Sequence, residues 1–339
     1  MVRETEALPF TRLRGGSYEL KWAGESVRVW RGSAEQIQRR IPTFARRPFA
    51  MDLRGRSASP QLSLLPEQDE NRFLDVIVRL ADEDYPEEVP VGIVSKRYTL
   101  VQHGDCFQAV LRALAATGLN LEKLRLALWL TEYGGRMALK VRLPRDRWFD
   151  PGDGRTVALQ LECFNSVDRS IPLRLMLVWY RLVCSNGLVL GSTNLRVEQV
   201  HNEFLDLGEI DRALAEGLAR VGGEQARCRS WFERKVSEAD LVAWVDGPLR
   251  QRLGVLAAAR AYFIARTGYD GEPADRFEPG LPHAKAMRAT RRVPGAEAPA
   301  TNAYAISQVL AWLARERHDV QEQVEWAEAI PYLIERLIA

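Results

Sequence analysis

The chain has 339 residues, 46% hydrophobic and 27% charged, with a net charge of +2. That balance fits a globular chain with room for two or three structural units, and excludes collagen-like, low-complexity and globally polybasic classes. Four cysteines (Cys106, Cys163, Cys184, Cys228) stand far apart without a C-x-x-C pair, and no apolar run approaches the roughly 18 residues of a membrane span. The expectation is a cytoplasmic protein with reduced thiols, no leader and no membrane partner.

Charge is uneven along the chain. Residues 1–60 carry a net +6 and residues 61–90 a net −7, and nearly all the cations are Arg. Tyr18 to Trp30 alternates around Ala23-Gly24-Glu25, as a small hairpin would. Ser33 before AEQIQRRI caps a short helix. RRPFAMDLRGRSASPQ has no periodicity and reads as a loop or arm. It gathers Arg39, Arg40, Arg46, Arg47, Arg54 and Arg56 beside Phe44 and Phe49. Phe73 to Leu80 reads as a strand, and the acidic ADEDYPEEVPVG as a linker. SKRYTLVQHGDCFQAVLRALAATG reads as a strand and then a helix capped by Asp105. Leu126–Leu130 and Met137–Leu143 flank a Gly-Gly turn as two strands.

The central stretch, 157–201, predicts two apolar strands with a turn at Asn165-Ser166-Val167-Asp168 and another at Cys184-Ser185-Asn186-Gly187. Beyond His201 the pattern turns helical: Ile210–Val236 with Gly222-Gly223 as its weak point, a helix opened by Ser237, and GVLAAARAYFIART. Residues 268–300 read as a long loop, and Thr301–Arg317 and Val320–Ile338 as two closing helices. The division is 1–90 (basic region, hairpin and acidic linker), 91–205 (core) and 206–339 (helical region). A mixed, mainly antiparallel sheet followed by helices is an α+β fold.

Chemistry is sparse. Cys163, Cys184 and His201 are the residue types of a zinc site, but gaps of about 20 residues do not match the short paired spacings of structural zinc, so no metal is predicted. Cys184 or Ser185 with His201, oriented by Asp168, could be posed as nucleophile and base, yet the stretch lacks a catalytic signature and Ser185-Asn186-Gly187 is a natural tight turn. Phosphate-binding glycine loops are missing, so no nucleotide cofactor is expected. Arg181 sits among apolar residues and needs a carboxylate, with Asp168 or Glu162 as candidates.

Val101-Gln102-His103, the run Asn165-Ser166-Val167-Asp168-Arg169-Ser170, and Arg181-Leu182-Val183-Cys184-Ser185-Asn186-Gly187-Leu188 followed by His201 resemble the blocks of the domain of unknown function 932 family, a set of phage- and plasmid-related proteins. Thr301-Asn302-Ala303-Tyr304 and its helix resemble the family's C-terminal block, so the likeness spans roughly 90–335. His103 stands where the family pattern has Asn, Val167 interrupts the second block, and Gly187 replaces Thr. The resemblance implies a protein of mobile elements without a defined activity. By analogy of fold order, a curved sheet with helices also suits single-strand annealing proteins.

These readings lead to a non-enzymatic nucleic-acid-binding accessory protein, with single-stranded DNA the favoured partner. Its groove would be lined by Arg39, Arg40, Arg46, Arg47, Arg54, Arg56, Arg174, Trp179 and Arg181. The rival is a small-ligand protein or enzyme with a polar pocket of Asn165, Asp168, Arg181, Cys184, Ser185, Asn186 and His201. A third reading is an assembly protein, homo-oligomeric or otherwise, acting through its C-terminal helices.

Overall fold

A computed structural model describes residues 21–52, 68–181, 188–190, 196–274 and 287–339. Arg54, Arg56, Cys184, Ser185, Asn186 and the side chain of Arg181 lie outside the described residues.

The described chain opens with β1 (Lys21–Trp22), β2 (Glu25–Gly32) and the short helix α1 (Ala34–Gln38). A three-stranded antiparallel sheet follows, made of β3 (Phe44–Asp52), β4 (Gln68–Arg79) and β5 (Val89–Ser95). Helix α2 (His103–Ala116) leads to β6 (Arg125–Thr131), β7 (Arg136–Arg142), β8 (Val157–Ser166) and β9 (Leu173–Arg181). After the short β10 (Leu188–Leu190) and β11 (Arg196–Gln199) come α3 (Glu209–Glu233), α4 (Glu238–Trp244), α5 (Arg250–Leu253) and α6 (Val255–Thr267). The hairpin β12 (Tyr269–Pro273) and β13 (Met287–Arg292) precedes α7 (Ala303–Arg315) and α8 (Val320–Ile338). The fold is α+β.

The large sheet runs β1-β2-β6-β7-β8-β9-β10, with β11 also on β9, and every described pairing in it is antiparallel. Period-two alternation sorts its side chains. One face carries Leu126, Leu128 and Leu130, then Met137, Leu139 and Val141, then Leu159, Leu161 and Cys163, then Leu173, Leu175, Leu177 and Trp179. All of these are buried with α2, α3, α6 and α7 in the main core. The opposite face holds a smaller core of Trp22, Val29, Trp129, Ala138, Phe164, Met176 and Val178. Helix α8 serves both: Val320 and Val324 join the smaller core, Ile330, Leu333 and Ile334 the main one. At about 1.5–3 kcal/mol per fully buried large apolar side chain, the main core dominates stability.

Local signals behave as their chemistry dictates. Ser33 and Ser237 each close a capping box, with Gln36 and Asp240 as reciprocal partners. Helix α3 runs unbroken through Gly222-Gly223 because Ile210, Leu214, Cys228 and Trp231 anchor it to the core, outweighing about 1 kcal/mol per glycine. Three expectations are corrected. The described part of the arginine-rich arm, up to Asp52, is strand β3, held by β4 in a ladder from Phe44↔Arg79 to Asp52↔Gln68. The long loop of 268–300 contains a hairpin, pinned by buried Asp270, which accepts from Arg260 (3.0 and 2.7 Å) and from Trp312 Nε1 (3.0 Å). Asp105 does not cap α2: the N-cap is Gln102, and Asp105 lies in the first turn.

The small sheet docks where β5 passes the β8–β9 turn. A Cβ on Gly92 would lie 2.8 Å from Asp168 Cα and 2.9 Å from its Cβ, so only glycine permits this approach.

Candidate functional site

Among the described residues, the Val101-Gln102-His103 and Asn165-to-Ser170 blocks and His201 come together around buried polar groups. Gln102 spends its side-chain amide on β3, donating to Phe44 O (2.8 Å) and accepting from Phe44 N (3.0 Å). The first helical residue, His103, is fully buried and donates from Nε2 to Gly134 O (2.7 Å), since a carbonyl can only accept. Its Nδ1 therefore accepts from Asn165 Nδ2 (2.9 Å), which also donates to Val101 O (3.1 Å). Tyr98 donates to Ser166 O (3.0 Å), so His201 Nδ1 donates to the Tyr98 oxygen (3.1 Å), and the two rings stack at 5.2 Å. Burial pushes the His103 imidazole down to about 4 and lowers His201 as well; burial also raises the Tyr98 phenol. Both histidines are neutral at pH 7. His201 Nε2 and Asn165 Oδ1 are buried without a hydrogen-bond partner.

Beside the node Arg136 organises the β8–β9 turn. It meets Asp168 (3.0 Å), Glu25 (2.9 Å), Ser170 Oγ (2.6 Å) and Trp22 O (3.0 Å). The sequence-predicted Asn165, Asp168 and His201 are thus brought together. Asp168 and Glu162 serve other cations, Arg136 and Lys140 (3.1 Å). Among the described residues no group of three or more His, Cys, Asp or Glu side chains could hold a metal ion, and no helix is long and apolar enough to cross a membrane. The node is equipped to lock α2, the small sheet and the β8–β9 turn together by complementary hydrogen bonds.

The predicted arginine groove is not assembled as expected. Arg46 contacts Tyr98 O and Asp75 (3.5 Å), and Arg47 pairs with Glu88 (2.7 Å). Arg39 pairs with Glu35, and with Arg40 lines a cavity of about 140 Å3 that also carries Asp82, Glu83 and Asp84. The basic and acidic stretches of the sequence therefore answer each other across the small sheet. Arg174 is held by Glu198 (3.1 Å) and Glu328 (3.8 Å). Trp179 is corrected outright: it is 1% exposed, packed edge-on to Phe149 at 4.5 Å, and has no ring face left for a base.

A different cationic surface lies on the opposite face of the large sheet. Pairing places Arg31, Ala127, Lys140, Glu162, Met176 and Arg196 in one cross-strand row. The next row holds Arg125, Arg142, Gln160 and Val178. Arg125 and Arg142 are direct cross-strand partners. Trp129 sits beside these rows, with Lys140 Nζ 3.9 Å from its ring centroid. Arg31 and Arg125 are exposed, and Lys140 and Arg142 half-buried. Sequence reasoning missed this face, although the alternation of Lys140 and Arg142 with Leu139 and Val141 carried the signal.

Comparison with known proteins adds one finding. No curated protein and no solved structure matches the chain. The family model for a domain of unknown function (DUF932) matches residues 90–274, from β5 to the end of β12, and includes Tyr98, His103, Asn165 and His201 of the polar node. The Thr301 block lies beyond the matched region. With more than half of its length matched, the chain belongs to the DUF932 family.

Proposed function

We propose that this protein binds single-stranded nucleic acid across the outer face of its large antiparallel sheet, as a non-enzymatic accessory protein. The observation that supports this is the pair of cross-strand rows bearing Arg31, Arg125, Lys140 and Arg142 around Glu162. Arg and Lys follow a phosphate backbone, releasing counterions as they neutralise it. The mobile-element setting implied by the family resemblance suits such a role.

Photocrosslinking with a bromodeoxyuridine-substituted single strand, followed by peptide mapping, tests the location. Adducts on the exposed residues of β6 or β7 are expected. Adducts confined to β3 and the 39–47 arginines would overturn the assignment to this face.

The two orphaned atoms of the node, His201 Nε2 and Asn165 Oδ1, favour a second reading, a small ligand with a donor for each. Screening small polar molecules by thermal shift tests it, with a stabilisation lost in His201→Phe as the supporting result and its absence as the refuting one.

A further inference from the structure

The cavity of about 140 Å3 lies where the end of α1 meets the turn that follows β4. A space of roughly 150 Å3 encloses one benzene, so this one suits a molecule of about six to eight non-hydrogen atoms. Its walls are held in place by their own bonds. Leu80 N donates to Thr43 O (2.9 Å), fixing the exit of β4 against the entrance of β3. Asp82 Oδ1 accepts from Asp84 N (2.9 Å) and Tyr85 N (3.0 Å), and its Oδ2 accepts from Arg79 Nε (3.0 Å) and Nη2 (2.6 Å). Tyr85 in turn holds the turn in place through Arg28 and Arg79, whose guanidinium carbons lie 5.5 and 4.3 Å from its ring centroid.

Arg79 and Asp82 are thus committed to the wall, Arg39 to Glu35, and Asp84 to Arg28 (3.9 Å). Two charges that line the cavity remain: Arg40, half-buried after α1, and Glu83, exposed on the turn. Among the described residues neither makes an ion pair or a side-chain hydrogen bond, and they do not pair with each other. A cation and an anion that share a cavity without closing on one another leave room for a molecule carrying the opposite pair of charges. The guanidinium fork takes a carboxylate through two parallel N–H···O bonds, and a carboxylate accepts from an ammonium. Ile41, Pro42 and Leu80 complete the lining with apolar surface for a short aliphatic side chain.

We infer that this cavity binds a free α-amino acid with a short side chain, its carboxylate on Arg40 and its ammonium on Glu83. The site shares no residue with the cationic rows of the large sheet and is independent of the nucleic-acid reading.

Saturation-transfer NMR on the full chain, titrating L-alanine and L-valine, tests it. At least one should bind saturably. Its analogues with a single charge (propionate and ethylamine for alanine, isovalerate and isobutylamine for valine) should bind at least tenfold more weakly. Arg40→Gln and Glu83→Gln should each weaken the amino acid about tenfold or more, the worth of one charge-assisted contact. Neither side chain has a partner in the fold, so the melting temperature of the unliganded variants should match that of the unaltered protein. Absence of saturable binding by both amino acids at millimolar concentration overturns the site. Single-charge analogues that bind equally well, or an affinity unchanged in either variant, overturn it too.

Discussion

His103 makes the fold acid-sensitive, and the size of the effect can be worked from its surroundings. Its ring is fully buried, Nδ1 accepts from Asn165 and Nε2 donates to Gly134 O, so the neutral tautomer satisfies both nitrogens. Burial holds its value at about 4, against about 6.5 in an unfolded chain. The folded form thus binds fewer protons than the unfolded one between these values. The stabilisation is fully present above about pH 6.5 and is lost as pH falls toward about 4. At about 1.4 kcal/mol per pH unit the whole difference is about 3 kcal/mol, of which about 2 kcal/mol is lost between pH 7 and pH 5. His201, lowered by burial in the same direction, adds to it. Urea unfolding at the two pH values measures the loss. In His103→Asn, which keeps a side chain of hydrogen-bonding capacity but cannot titrate, the loss should shrink by about 2 kcal/mol. An equal loss in His103→Asn and the unaltered protein would refute the reasoning.

Three further outcomes follow from the packing. Arg136→Met should cost about 3–5 kcal/mol in chemical denaturation, because Asp168 keeps its buried charge and loses its guanidinium; a cost under about 1 kcal/mol would show that the turn holds without it. Gly92→Ala should lower the melting temperature by the equivalent of about 1–3 kcal/mol, since its new methyl meets Asp168 backbone at 2.8 Å. Trp179→Phe should reduce stability while leaving nucleic-acid affinity within about twofold, since the ring is core; a selective loss of affinity would return it to the binding surface.

Much of the architecture was legible because period-two and period-3.6 patterns are local. The alternation through β6 and β7, the caps at Ser33 and Ser237, and the stripe of Ile210, Leu214 and Trp231 each announce their element from neighbouring residues. Strand β3 was hidden, since Arg46, Arg47 and Pro48 interrupt any apolar alternation and its partners on β4 lie across residues 53–67. The charge imbalance was visible, but its resolution as Arg46–Asp75 and Arg47–Glu88 pairs needed the small sheet to bring the stretches together. Trp179 was misplaced for want of a parity check: it falls in step with Leu175 and Leu177, which face the main core.

The candidate site shows the same division. Asn165, Asp168 and His201 were recognisable as unusual polar residues near core-forming ones, yet their partners Tyr98, His103 and Arg136 come from other elements and only tertiary packing reveals them. Among the described residues, those of the resembled blocks come close together. Asn165 bridges Val101 O and His103, Tyr98 bridges Ser166 O and His201, and Gln102 pairs with the Phe44 backbone. These bonds explain why such dispersed polar positions occur together: most of their buried donors and acceptors are matched by one another, and an unmatched one costs about 1–3 kcal/mol.

The proposal of nucleic-acid binding on that face is tested most directly by the salt dependence of affinity for a single strand, measured for the unaltered protein and for Arg125→Gln/Arg142→Gln. Each phosphate contact contributes about −0.7 to the slope of log affinity against log salt, so removing two should flatten the slope by about 1.4 and weaken binding at low salt. An identical slope and affinity in the double variant, or no binding by the unaltered protein at low salt, would contradict the account.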